Sequence, residues 1–226
     1  LAQGLTPQQA MERLMRGEPM NLSPYWLPYL PGRLSLMHKT RIESLDAAEI
    51  TPAEGEVIVP EGSITSDTGE LTWETTPQDG RVLMDTPRHQ AIIGRTGERE
   101  MTHLKLSLET PFAAIQLASL EDHPISEASQ LILLACARVA NTDQTWVDES
   151  RQQPADWGHA PVRMEPVAGT IFLRGLEGAK AVTAQALDGS GQPTGEIFTL
   201  EELPGEFLLN LGNLTVTPWY LIEVQR

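Results

Sequence analysis

From residue 63 to the C-terminus the chain is written as short apolar runs, each bounded by glycine, proline or aspartate. Many of these runs alternate. In 104–108, Leu104, Leu106 and Leu108 point one way along an extended chain, while Lys105 and Ser107 point the other. A period of two buries one face of a strand and cannot bury one face of a helix. The pattern predicts strands at 71–74, 81–85, 91–94, 104–108, 113–119, 130–139, 169–173, 181–187, 198–200, 207–211 and 219–224. Asp188-Gly189-Ser190-Gly191 falls between two of them and reads as a hairpin turn. Many short strands at close spacing, with no helical pattern between them, predict an all-β fold: an antiparallel β-sandwich of jelly-roll or Ig-like type. The run Leu131-Ile132-Leu133-Leu134-Ala135-Cys136-Ala137 is continuous rather than alternating. It reads as a central strand covered on both faces, with Cys136 as an inert core thiol rather than a nucleophile.

Residues 1–62 have a different grammar and form a lead-in to the sandwich domain at 63–226. Thr6-Pro7-Gln8-Gln9 reads as a capping box with proline at the first helical position. Ala10, Met11, Leu14 and Met15 follow at helical spacing, and Gly17 is a natural stop. A helix of about three turns is marginal in water, so its apolar face needs a surface to dock on. Pro19, Pro24, Pro28 and Pro31 then surround Tyr25, Trp26 and Tyr29, which forbids helix and favours irregular extended chain. Residues 46–62, rich in proline, glycine and acids, read as an exposed connector.

Charge removes several classes of partner. Among 226 residues, 31 are acidic and 16 basic, a formal net charge of -15. Such a chain repels phosphate backbones and anionic lipid, which argues against nucleic acid and membrane as partners. No run approaches the roughly 18 apolar residues of a membrane span. A single cysteine rules out an intramolecular disulfide. The chain starts at Leu1 without a methionine or a signal-peptide pattern, and the expectation is a piece of a longer protein.

No reaction centre is signalled. His38, His89, His103, His123 and His159 are too scattered for a helical or finger-type metal site, so zinc is not expected. There is no Gly-x-Ser-x-Gly elbow, and Glu121-Asp122-His123-Pro124 behind Ser119 reads as a polar turn. No glycine-rich phosphate loop occurs. Asp67, Glu70, Glu74 and Asp85 cluster around two strands, but an acidic chain makes any carboxylate pair a weak signal for glycoside hydrolysis. No cofactor is called for. Calcium is the one cation that acidic sandwich loops are suited to take, and Asp188–Gly191 reads first as a plain turn. Aromatic side chains remain: sugars stack their C–H faces on flat rings while nearby polar groups take the hydroxyls. Trp73, Trp146 and Trp157 stand in polar or turn-rich surroundings. With Tyr25 and Trp26 of the lead-in they are the candidate carbohydrate-binding residues, each open to the alternative of a core anchor. Trp219-Tyr220 heads a final strand and reads as structural.

Three stretches taken together carry a resemblance. The first is Ser66-Asp67-Thr68-Gly69-Glu70-Leu71-Thr72-Trp73. The second is Asp85-Thr86-Pro87-Arg88 with Gln90-Ala91 and Gly94. The third runs from Phe112-Ala113-Ala114-Ile115 and Leu117-Ala118-Ser119-Leu120 through Leu131-Ile132-Leu133-Leu134 to Arg138-Val139-Ala140-Asn141-Thr142. With Ala160-Pro161-Val162, Glu165-Pro166-Val167 and Trp219-Tyr220-Leu221-Ile222, this order resembles the β-rich C-terminal region that follows the TIM-barrel catalytic domain in large bacterial glycoside hydrolases. The similarity spans residues 63–226. It implies catalytic carboxylates upstream of this chain, a sandwich that supports the barrel, and a secreted, periplasmic or cell-surface protein. No functional residue is carried over by it. Asp85-Thr86-Pro87-Arg88 reads as a structural motif in which Asp85 and Arg88 pair across a strand end.

The resulting expectation is a non-catalytic accessory β-sandwich of a polysaccharide-degrading enzyme, with a polysaccharide or oligosaccharide and an upstream catalytic domain as partners. The alternative is a self-contained carbohydrate-active enzyme, a hydrolase or lyase using acidic residues on a sheet face. A third reading, a protein-interaction module, requires a large exposed apolar patch.

Overall fold

A computed structural model describes residues 12, 15, 16, 37–39, 60–76, 80–213 and 215–226, the side chains of Glu196 and Asn213 excepted. The chain divides into two compact units, Leu1–Thr75 and Thr76–Arg226.

In the first unit, Glu12 and Met15 have helical backbone, and Arg16 N donates to Glu12 O at 3.1 Å. The rest of the expected helix, Tyr25 and Trp26 among their prolines, and most of the connector lie outside the described residues. β1 (Ser63–Thr65) and β2 (Leu71–Glu74) form an antiparallel hairpin with Ser63 opposite Glu74 and Thr65 opposite Thr72. Ser66 closes its loop. The Ser66 hydroxyl accepts from Leu71 N at 3.1 Å, and Gly69, at φ +74°, donates to Ser66 O at 2.8 Å. Asp67 in this loop meets His38 Nδ1 at 2.8 Å.

The second unit contains the remaining strands: β3 (Arg81–Asp85), β4 (His89–Arg95), β5 (Glu98–Glu100), β6 (Leu104–Leu108), β7 (Phe112–Ser119), β8 (Gln130–Cys136), β9 (Val139–Thr142), β10 (Thr145–Trp146), β11 (Pro154–Asp156), β12 (His159–Met164), β13 (Gly169–Arg174), β14 (Ala181–Leu187), β15 (Pro193–Thr199), β16 (Glu201–Leu203), β17 (Glu206–Asn210) and β18 (Trp219–Gln225). One sheet runs β3-β4-β7-β8-β18-β14-β15 and a second runs β16-β17-β13-β6-β5. β9 with β12, and β10 with β11, form two separate ribbons. The pairings described below are antiparallel, as expected for a β-sandwich.

Alternation explains the core. Ala113, Ile115 and Leu117 of β7, Leu131, Leu133 and Ala135 of β8, and Tyr220, Ile222 and Val224 of β18 are buried. They meet Leu104, Leu106 and Leu108 of β6 and Ile171 and Leu173 of β13 in one cluster. Each sheet thus removes every second side chain from water against the other, and apolar burial is the main force holding the layers together. Gly169 opens β13 at φ +127°. A Cβ there would stand 2.5 Å from Ser107 O, so the approach of β13 to β6 requires glycine.

Three expectations are corrected. The run at 130–139 is not one strand: β8 ends at Cys136 and the chain restarts as β9 in another ribbon. Glu165 N takes Arg138 O at 2.8 Å, so the carbonyl that would extend the ladder is used elsewhere. The run is also not covered equally on its two faces. Leu131, Leu133 and Ala135 are buried, whereas Ile132, Leu134 and Cys136, pointing away from the core, are half-buried. Cys136 is therefore an outward-facing thiol and not a core one, and its partial burial pushes its pKa up, disfavouring the thiolate. Asp85 and Arg88 do not pair. Asp85 accepts from Gln90 Nε2 at 2.5 Å and from Thr102 N and Oγ1 at 3.1 and 3.0 Å, while Arg88 reaches Asp122 at 2.5 Å and Glu121 O at 2.6 Å. Asp85 lies opposite Gln90, on the core-facing side of β3, and the turn carries Arg88 beyond it.

Candidate functional site

The segment between β8 and β13 leaves both sheets and folds into the two ribbons. Ala140 stands opposite Arg163, and Asn141 opposite Val162, across β9 and β12. Thr145 stands opposite Asp156, and Trp146 opposite Pro154, across β10 and β11. So short an excursion has almost no core, and polar bonds fix it instead. Asn141 N donates to Gln144 Oε1 at 2.9 Å, and Asn141 Nδ2 to Trp157 O at 2.9 Å. Thr142 Oγ1 donates to Pro161 O at 2.8 Å. Gly158, at φ +63°, lies so close to the first ribbon that a Cβ would come 2.6 Å from Gln144 N. The β10–β11 turn is an Asx turn: Asp148 Oδ1 accepts from Ser150 N at 2.8 Å and from Ser150 Oγ at 2.5 Å. Those bonds hold the Asp148 carboxyl below its ordinary pKa.

His159 closes the far end of the ribbons. Its Nδ1 lies 2.7 Å from Ala160 O and its Nε2 3.0 Å from Asp143 Oδ2. Both partners accept, and a neutral imidazole can donate at only one nitrogen. The Ala160 carbonyl and then the Asp143 carboxylate accordingly raise the imidazole pKa.

An open cleft of about 340 Å³ lies where β7 begins, β8 gives way to β9, and the β10–β11 ribbon folds over. Its walls include Phe112, Trp146, Arg138, Arg151 and Ser150, with Ala140 between them. The Arg138 guanidinium sits over the Phe112 ring, 5.8 Å from its centroid. Register explains why these residues meet. Ala114 pairs with Cys136, so the residues two before and two after, Phe112 and Arg138, project from the same side of the β7–β8 pair. Chemically the cleft offers two aromatic rings and the guanidinium donors of Arg138 and Arg151, ingredients of sugar recognition.

Of the residues expected to bind carbohydrate, the cleft takes in Trp146, which is half-buried there. Trp157 is not part of its lining. It follows β11 on the adjoining ribbon and is 68% exposed, far from the condition of a core anchor. Trp73 is half-buried on β2 in the first unit. Tyr25 and Trp26 lie outside the described residues. The sequence reading missed Phe112, Arg138 and Arg151 as site residues. The available signal was the strand pattern on either side of residues 120–129, which sets Phe112 beside Arg138 once β7 and β8 are paired.

A second cleft of about 390 Å³, beside β17, is lined by Glu177, Glu202, Glu206 and Phe207. There Glu206 is held by Lys105 at 3.2 Å. The 188–191 segment is a hairpin turn, as expected: Asp188 Oδ1 accepts from Ser190 N, Ser190 Oγ and Gln192 N at 2.7–2.9 Å. Among the described residues, no three His, Cys, Asp or Glu side chains converge as a metal would need, and no helix is long and apolar enough to cross a membrane. Comparison with family models, curated proteins and solved structures returned no match.

Proposed function

We propose that this chain is a non-catalytic accessory β-sandwich module of a polysaccharide-degrading enzyme. In this reading it binds glycan at the ribbon cleft and supports an upstream catalytic domain of the same polypeptide. The observation that carries the reading is Trp146 in the wall of an open cleft, on a ribbon whose turn is fixed by the bonds of Ser150 to Asp148. A preset ring loses little entropy on binding, which suits weak recognition of a repeating polymer. Trp157, in the link from β11 to β12, is a second solvent-facing ring. A module working on polysaccharide acts where the polymer is, so the reading carries with it a secreted, periplasmic or cell-surface location. The enzymatic alternative requires a carboxylic acid with a raised pKa. Among the described residues, Glu100, Asp148 and Asp188 are held low by their hydrogen-bond partners.

Native electrophoresis of the full chain through gels containing soluble polysaccharides tests this. At least one neutral or acidic glycan should retard the chain, and Trp146→Ala should relieve the retardation at unchanged far-UV circular dichroism. Free migration on every glycan, or retardation that ignores Trp146→Ala, would reject glycan binding at this cleft.

A further inference from the structure

The second unit carries nine arginines in two very different conditions. Arg81, Arg88, Arg99, Arg174 and Arg226 are all bonded: Arg81 to Thr96 O, Arg88 to Asp122, Arg99 to Glu98 O, Arg174 to Glu100, and Arg226 to Glu177 O and Ser126 O. The other four, Arg95, Arg138, Arg151 and Arg163, are exposed, and their guanidinium groups make no hydrogen bond or ion pair among the described residues. These four gather in one place. Arg138 and Arg151 line the ribbon cleft. Arg95 stands directly opposite Phe112 across β4 and β7, and Arg163 directly opposite Ala140 across β12 and β9. Paired residues of an antiparallel ladder project to one face, so all four attach at the cleft or its immediate border. Among the described residues no carboxylate lines the cleft, although acids outnumber bases 31 to 16 in the chain. The nearest in sequence are Glu149 and Asp148: Asp148 is spent on its own turn, and Glu149, though beside Ser150, is exposed and not part of the lining.

A chain of this composition has carboxylates to spare for neutralising surface arginines. Four guanidinium groups beside two aromatic rings, with no neutralising partner among the described residues, repel one another unless a ligand brings the opposite charge. Guanidinium is also the side chain whose planar fork matches a carboxylate or sulfate oxygen pair. We propose that the cleft recognises a pyranose ring bearing an anionic group, with the ring against Trp146 and Phe112 and the anion on Arg138 and Arg151. Hexuronic acids and sulfate esters share this chemistry. The proposal rests on the glycan reading above and names its substrate class.

Isothermal titration of the full chain with two matched pairs of oligosaccharides decides it: oligogalacturonate against its carboxyl-reduced form, and a sulfated galactan oligosaccharide against its desulfated form. At least one anionic member should bind tenfold or more tightly than its neutral counterpart, and the pair that does so identifies the anion. Arg138→Gln and Arg151→Gln should each erase most of that difference at an unchanged melting temperature. Should Arg138→Gln lower the melting temperature, Arg151→Gln, in an exposed turn, carries the test alone. Equal affinity within both pairs, or discrimination untouched by Arg151→Gln, would overturn the proposal while Trp146-dependent glycan binding still stood. Poly-glutamate binding as tightly as oligogalacturonate would overturn it too, by reducing the site to unspecific anion attraction. Failure of all four oligosaccharides to bind would remove the glycan reading itself.

Discussion

At the scale of single residues, position in the register decides which charged groups are spent and which are free. Asp85 turns inward and is consumed by Gln90 and Thr102, while Arg88, three residues on, is consumed by Asp122. His159 is the clearest titrating case, since both of its nitrogens face acceptors. Its folded-state pKa lies above the ordinary imidazole value, so its contribution to stability is complete below that ordinary value. The contribution is lost as pH rises through the raised folded value. Histidine titration by NMR should therefore place the His159 midpoint above that of an unfolded reference peptide. Asp143→Asn should bring it part of the way down, with the Ala160 carbonyl holding the remainder. A midpoint at or below the reference, or one indifferent to Asp143→Asn, would contradict the geometry.

At the scale of the element, β8 is the informative strand. Its sequence is apolar at consecutive positions, yet its neighbours bury only one face completely. Leu133 has no exposure and is packed inside the core cluster, whereas Leu134 points outward opposite Trp219. Leu133→Ala should cost about 2–5 kcal/mol, because the lost transfer free energy is joined by a cavity the β-sandwich cannot collapse. Leu134→Ala should cost clearly less, since its site is already partly in water. Urea unfolding of the two variants compares them directly, and equal losses would show that the outward face is as tightly packed as the core. β9 to β12 illustrate the opposite limit. They are short, contain Pro154 and Pro161, and are rich in exposed residues, so no alternation announced them. Hydrogen bonds from Asn141, Thr142 and Ser150 supply the order that apolar burial does not.

At the scale of the whole molecule, the buried cluster runs from Ile92 to Val224 and lies entirely within the second unit. A chain beginning at Thr76 should thus retain a cooperative thermal transition and the near-ultraviolet circular dichroism of a packed β-sandwich. A broad, non-cooperative melt would mean that the first unit is needed to complete the core. The strand pattern, the all-β class and the turns at 121–124 and 188–191 were legible in the sequence, because alternation and turn chemistry are local properties that survive in any context where one face is buried. Seven strands were not foreseen: β1, β5, β9, β10, β11, β12 and β16 are two to six residues long and polar. The cleft was not legible either, because its parts are remote in the chain. Phe112 meets Arg138 only through the pairing of β7 with β8, and Trp146 and Arg151 arrive only because the chain leaves the sheet after Cys136. Periodicity determined that this chain layers strands around an apolar core; which outward-facing residues then share one surface was decided by register and by the exit point of β8, both set by long-range pairing that no local pattern encodes.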